Sequence, residues 1–263
     1  MSDSNKNIIL SLENISISFS RDYKKDGKEL TESKAILKDI SLNLNNGEIV
    51  ALMGGNGSGK TTLFNIISGL MDPDEGKVIY INNDITDWKA DRRAKAGIGR
   101  LFQDNHIFQN ITVMENMCLS SSNRVGEFPF ISLFQQDKSR RIEKEREKKA
   151  VGILSELFEG NHETLLDKKN KLAGELSYGE KRLLGLARIF MGEYDLVLLD
   201  EPSAGVNEAL IKNIQDMVKK ITKKNVTIFF IEHEQQFVKD IADRVIYIKN
   251  GRIASIEKSD III

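Results

Sequence analysis

Eight consecutive residues, Gly54-Gly55-Asn56-Gly57-Ser58-Gly59-Lys60-Thr61, constrain this chain more than anything else in it. They satisfy G-x-x-x-x-G-K-[ST], with a short apolar strand at Ile49–Met53 before them and a helix-compatible segment after them, which is the context the pattern needs. Glycine reaches backbone angles closed to other residues, so successive N–H groups can turn inward around phosphate oxygens. A helix starting at Lys60 or just before it adds the positive end of its dipole. In such a cradle Lys60 reaches the β- and γ-phosphates and the Thr61 hydroxyl ligates Mg²⁺. The rival reading, a plain glycine-rich turn, does not explain the strand before and the helix after. Alone, the pattern implies an α/β nucleotide hydrolase of the phosphate-loop kind and no more.

A second half-site lies far along the chain. Leu196-Val197-Leu198-Leu199 is an apolar run ending in Asp200 and Glu201. A buried parallel strand delivers its last side chains to the carboxyl edge of the sheet, where ligands bind. Asp200 is placed there to hold Mg²⁺ through water, and Glu201 to polarise an attacking water as a general base. His233 follows the run Val226–Glu232 in the same way, and an imidazole there can bond the γ-phosphate and fix Glu201. Gln103, in Leu101-Phe102-Gln103, adds an amide oxygen for Mg²⁺ and water; it carries weight only as part of this set.

The remainder reads as one domain over residues 8–260. Residues 8–19 and 36–53 alternate apolar and polar positions as strands do, and the polar segment 20–35 between them, with nine charges, is expected as a solvated loop extending a hairpin. From about Gln103 to Gly174 the pattern turns helical. Asp137–Lys149 interleaves seven basic and four acidic residues, which marks an exposed helix face rather than a nucleic-acid patch. The net charge of −1 supplies no global field for nucleic acid. Cys118 is the only cysteine, so no internal disulfide exists and a reducing compartment fits. The polar start MSDSNKN is expected to carry no signal peptide. The apolar runs fall well short of the ~20 residues a spanning helix needs, so a membrane pore would belong to another polypeptide.

Leu176-Ser177-Tyr178-Gly179-Glu180 opens a further helical pattern. Ser177 and Glu180 form S-x-x-E, a capping box, and a capped helix start with a small glycine and a serine hydroxyl is also a γ-phosphate donor site. LSYGE just before LVLLDEP, with GGNGSGKTT upstream (Thr62 included) and IEHE downstream, resembles the ATP-binding cassette family over essentially the whole chain. The resemblance implies a RecA-like phosphate-loop core (about 36–102 and 190–252), an antiparallel β subdomain (about 8–50) and an inserted helical subdomain (about 103–189). It also implies two cassettes, identical or not, facing head to tail, so that Lys60 of one and Ser177 of the other enclose one ATP. Ser203–Asn207 matches the family's interface loop, with Asn207 where an Asp is usual, and Phe19 best matches the adenine-stacking aromatic, Tyr23 being second.

A finer resemblance, carried by IGRLFQDNHIFQNITVMENM, Tyr178 and EPSAGVN, is to the ATPases of branched-chain amino-acid importers and, less closely, to urea and lipopolysaccharide-export ATPases. It implies a membrane permease docked near Gln103–Leu119, a solute-binding protein, and a place on the cytoplasmic face of the membrane. Non-transport cassettes of translation or DNA repair are the rival class, but those carry paired cassettes, long coiled coils or zinc modules, and none of these is seen here. A regulatory ATP-binding module is a further rival, against which Glu201 and His233 argue.

Overall fold

The structure, a computed structural model, describes residues 8–25, 28–102, 107–120, 136–157 and 165–258. In chain order the elements are β1 (Ile8–Lys25), β2 (Lys28–Asn45), β3 (Ile49–Met53), α1 (Lys60–Ile67), β4 (Glu75–Tyr80), β5 (Asn83–Asp84), α2 (Ala90–Lys95), β6 (Ile98–Leu101), α3 (Val113–Leu119), α4 (Gln136–Leu157), α5 (Tyr178–Ile189), β7 (Leu196–Asp200), α6 (Glu208–Thr222), β8 (Thr227–Ile231), α7 (Gln235–Ile241), β9 (Arg244–Lys249) and β10 (Arg252–Lys258). The chain forms two compact units, one of residues 1–100, 194–201 and 222–263, the other of residues 101–193 and 202–221.

The first unit carries both sheets. Every residue of β3, β7 and β8 is buried, as strands covered on both faces must be, and β3 and β7 flank β8 in parallel. They form the centre of a six-stranded sheet ordered β10-β9-β3-β8-β7-β6. The other sheet, ordered β2-β1-β4-β5, is antiparallel and alternates. Leu10 stands opposite Leu44 and Leu12 opposite Leu42, all four buried, while their chain neighbours Ser11 and Asn43 pair on the other face. Residues of both sheets and of α1 join in one apolar core, in which the rings of Phe64 and Phe229 lie 5.1 Å apart.

The segment 20–35 is not the loop expected. Its backbone continues the ladder, with Ser20 opposite Ser33 and Lys25 opposite Lys28, so β1 and β2 run on as a two-stranded ribbon. Hydrophobic alternation is the signal by which a strand is read, and this polar stretch carries none of it.

The second unit is helical among its described residues. α3 begins with a full capping box, Thr112 accepting from the Glu115 N–H at 3.1 Å and Glu115 accepting from the Thr112 N–H at 2.7 Å. The buried Asn116 ties α3 to the chain before it, since its Nδ2 donates to the Phe108 carbonyl and its Oδ1 accepts from the Phe108 N–H, both at 2.9 Å. α4 exposes the charged residues Arg140, Arg141, Glu143, Lys144 and Glu145 and buries Ala150, Leu154 and Leu157 further on, in accord with the exposed-face reading. No helix among the described residues is long and apolar enough to cross a membrane.

Candidate active site

In the first unit three parallel strands end side by side, with Leu52 opposite Ile231 and Asp200 opposite Ile231 from the other flank. The residues that follow β3, β7 and β8 therefore emerge together at one carboxyl edge of the sheet.

After β3 the chain turns through the glycine-rich loop. A Cβ on Gly54 would lie 2.3 Å from the Ile248 carbonyl oxygen, so only glycine lets the loop hug β9. Gly59, with φ of 107°, is the N-cap of α1 and offers no side chain to it, which leaves the first N–H groups of the helix for another acceptor. Nothing would crowd a Cβ at Gly55, and Asn56 and Gly57 are exposed, so the outer wall of the loop is open. Beneath it Lys60 is 6% exposed, and its Nζ donates to the carbonyls of Gly54 (2.8 Å) and Gly55 (3.1 Å). Burial pulls the Lys60 pKa below its ordinary value, while the charges of Glu201 and Asp200 push it back up. Ser58 is buried, and its Oγ finds no hydrogen-bond partner among the described residues. Thr61 is exposed and Thr62 half-buried.

At the end of β7 the Asp200 side chain is 8% exposed and ion-paired to Arg100, 3.3 Å from Oδ2 to Nη2. Glu201 follows in the left-handed region, φ 48°, and its N–H donates to the Ile231 carbonyl at 3.0 Å. For a residue with a Cβ that conformation costs on the order of 1–2 kcal/mol, and strain of this kind gathers at functional positions. It turns the Glu201 carboxylate toward the residues after β8, where Oε1 lies 3.3 Å from His233 Nε2. Glu232, buried at 3% exposure, accepts the His233 backbone N–H at 3.0 Å.

These features suit a nucleotide with a hard cation. The open loop, the uncapped helix start, the buried lysine and the orphaned Ser58 hydroxyl fit a polyphosphate. No cluster of three or more His, Cys, Asp or Glu able to hold a metal occurs among the described residues. Thr61 and Asp200 supply hydroxyl and carboxylate oxygens, the donors a Mg²⁺ takes when it keeps waters and phosphate oxygens as its other ligands. Phe19, 46% exposed on β1 opposite Lys34, lies in the same unit. Gln103 and the side chain of Tyr23 fall outside the described residues.

In the second unit Ser177 is the N-cap of α5, with the box closed both ways: Oγ accepts from the Glu180 N–H at 3.3 Å and Glu180 accepts from the Ser177 N–H at 2.8 Å. Burial works to raise the Glu180 pKa, but the bonds from Lys168 (2.6 Å) and Ser177 outweigh it and hold the pKa below the ordinary value. Gly205 has φ of 70°, and a Cβ on it would lie 2.9 Å from the ring of Tyr178, itself 52% exposed. A Cβ on Gly179 would come within 2.4 Å of the Leu210 side chain. Asn207 departs from the usual Asp yet keeps the acceptor that matters locally, its Oδ1 taking the Leu210 N–H at 3.1 Å at the start of α6.

One site residue was not foreseen. Arg100 is a buried cation in the otherwise apolar β6 that touches Asp200, and its only trace in the sequence is a charge inside Ile98-Gly99-Arg100-Leu101.

Comparison with known proteins identifies the family and the fold. The sequence profile of the ABC transporter family matches residues 37–204. The probable branched-chain amino acid transport ATP-binding protein LivG of Methanocaldococcus jannaschii is 37% identical over 228 residues, 86% of this chain and 84% of that protein. Among solved structures, an ATP-binding cassette of an ABC transporter in its ADP conformation superposes with a TM-score of 0.75 at 32% identity, covering 95% of this chain and 91% of that one. A dimeric cassette in a post-hydrolysis state bound to ADP and phosphate gives 0.73 at 26%, covering 95% and 99%.

Proposed function

This chain belongs to the ABC transporter family as one of its ATPase cassettes, and from that premise we propose that it drives an importer of branched-chain or similar apolar amino acids through the residues described above. The single observation that carries the catalytic reading is the meeting of His233 and Glu201, 3.3 Å apart, at the sheet edge that also bears the Lys60 loop.

In this reading N–H groups of the loop 54–61 and the Lys60 ammonium bind the phosphates of ATP, and the Ser58 hydroxyl gains a partner it lacks among the described residues. Thr61 would ligate Mg²⁺ and Asp200 would hold it through water, with Gln103 as a further oxygen donor. The ion supplies Lewis-acid neutralisation of charge on the β- and γ-phosphates. Glu201 accepts a hydrogen bond from the attacking water and takes its proton as the new O–P bond forms and the bond from the γ-phosphorus to the β–γ bridging oxygen breaks, ADP leaving with that oxygen. His233 orients Glu201 and bonds the γ-phosphate. Phe19 stacks on the adenine.

Ser177, with Tyr178, Gly179 and Glu180 shaping the start of α5, offers its hydroxyl and helix N-terminus to the γ-phosphate held by a second cassette. ATP then favours the closed pair and phosphate release reopens it, a ligand-biased two-state device. A separate membrane permease, docked on the helical unit, reads that change from the cytoplasmic face of the membrane, and a solute-binding protein delivers the cargo. The likeness to LivG supports the amino-acid assignment.

Glu201→Gln with ATP tests this directly. The variant should bind ATP with near wild-type affinity, hydrolyse it at under about a hundredth of the wild-type rate and accumulate as a dimer. A strictly monomeric ATP-loaded variant, even with its permease, defeats the two-cassette reading, and unchanged turnover removes Glu201 from its role. For the cargo, the complex reconstituted with its permease should take up leucine; stimulation by another solute class alone moves the assignment.

A further inference from the structure

Arg100 makes more contacts than an ordinary ion pair. Its Nη1 donates to Asn65 Oδ1 and to Ser68 Oγ, both at 2.8 Å, and its Nη2 reaches Asp200 Oδ2 at 3.3 Å. The guanidinium carbon also lies 5.8 Å from the centre of the Phe64 ring. Phe64, Asn65 and Ser68 all belong to α1 or its C-cap, and Asp200 closes β7. The Arg100 side chain is 6% exposed, and burial pulls its pKa down against the pull of Asp200. Burying a guanidinium is costly, and the bonds to Asn65, Ser68 and Asp200 offset that cost although the buried Nε finds no hydrogen-bond partner among the described residues.

The placement along α1 gives those contacts a purpose. Thr61, Asn65 and Ser68 sit at i, i+4 and i+7, one stripe of the helix. Arg100 therefore grips, one and two turns further along, the same stripe that carries Thr61, and with the other arm of its fork it grips Asp200. These two grips join the two protein groups assigned to Mg²⁺.

We propose that Arg100 is a positioning residue for the metal: its planar fork ties Asp200 to the α1 stripe bearing Thr61 and so fixes the distance between the two metal-binding groups. A hard cation that demands near-ideal octahedral geometry is sensitive to that distance. The proposal rests on the reading of Thr61 as a Mg²⁺ ligand and of Asp200 as holding the ion through water. A lysine cannot reproduce it, because a single ammonium lacks two arms set at a fixed angle.

The test measures metal binding rather than turnover. Mn²⁺, as a paramagnetic substitute for Mg²⁺, is titrated by electron paramagnetic resonance into the protein saturated with ADP, and the affinity for a fluorescent ADP is measured separately in EDTA. Arg100→Ala should weaken Mn²⁺ binding about tenfold, the usual scale for losing a group that orients a ligand, and change metal-free ADP affinity less than threefold. Arg100→Lys should stay close to Arg100→Ala. Asn65→Ala, which keeps both charges and removes one anchor, should weaken Mn²⁺ more than threefold, and it decides the matter if the Arg100 variants do not fold. Mn²⁺ binding within threefold of wild type in these variants, an equal loss of metal-free ADP affinity, or full rescue by lysine overturns the tether. Asp200→Asn is the control: if it too leaves Mn²⁺ binding unchanged, it is the assignment of Asp200 to the metal that fails.

Discussion

The Nε2 atom of His233 lies 3.3 Å from Oε1 of Glu201, the glutamate following directly on the buried end of β7 and the histidine standing two residues beyond the buried end of its parallel neighbour β8. The contact pairs a general base with the group that can orient it, so the two side chains should fail in different ways when removed.

His233→Ala should lower kcat by about 10²–10³-fold while leaving the affinity for ATP within a factor of a few, since its main part is to orient Glu201 and the water, and its bond to the γ-phosphate is one among the many that hold the nucleotide. Steady-state phosphate release and an equilibrium nucleotide titration on the same preparation check this. A fall in affinity as large as the fall in kcat would assign His233 to binding.

Lys60→Ala should do the reverse. Removing the buried ammonium takes away charge-assisted bonds to phosphate of about 1.5–3 kcal/mol, which is a ten- to hundredfold loss in nucleotide affinity. Calorimetric titration with ADP reads it without catalysis. The variant should remain folded, because Lys60 bonds only to carbonyls of its own loop among the contacts described.

Glu201→Gly should stabilise the protein while abolishing hydrolysis. Glycine adopts φ of 48° without strain, and after allowing for its greater freedom in the unfolded chain the net gain is about 1 kcal/mol. For a chain of this size that is a rise of about 2–4 °C in Tm. A lower Tm than wild type would mean that the Glu201 carboxylate contributes more stability than its backbone costs.

Glu180 should give the helical unit a pH dependence. Its folded pKa lies below the ordinary 4.5, so its contribution is complete above that value and is lost as pH falls through the folded pKa. Glu180→Gln, which cannot pair with Lys168, should therefore melt about 1–3 °C below wild type at pH 7 and level with it in strong acid. A gap that persists unchanged below pH 3 would trace it to packing.

Most of the site could be read before the fold, because its parts are local. A glycine-rich turn between strand and helix, two acids at the end of an apolar run and a serine three residues before a glutamate each carry their geometry in a few adjacent positions, and the capping box of Ser177 and Glu180 formed atom for atom. What escaped was non-local or unburied. Arg100 takes its meaning from Asn65, Ser68 and Asp200, which lie far from it in the chain, and no spacing rule links them. The pairing from Ser20 to Ser33 left no mark in the sequence because the segment is mostly charged and lacks the apolar alternation from which a strand is read.

That ribbon has a consequence for life in a crowded solution. β4 accompanies β1 only as far as Ser16, where it pairs with Glu75, so beyond that point the described pairings of β1 are with β2 alone. At its base the Ser18 N–H is taken by Asp74 Oδ2 at 2.7 Å, and beyond that no further strand pairing of the ribbon is described, which is the kind of edge where clumping starts. Arg21-Asp22-Tyr23-Lys24-Lys25 of β1, followed by Lys28 and Glu29 of β2, carries a charge at every one of these positions but Tyr23. A would-be intruder must desolvate those charges before it can pair, and shortening the ribbon should cost the cassette little while trading them for neutral residues should cost it solubility.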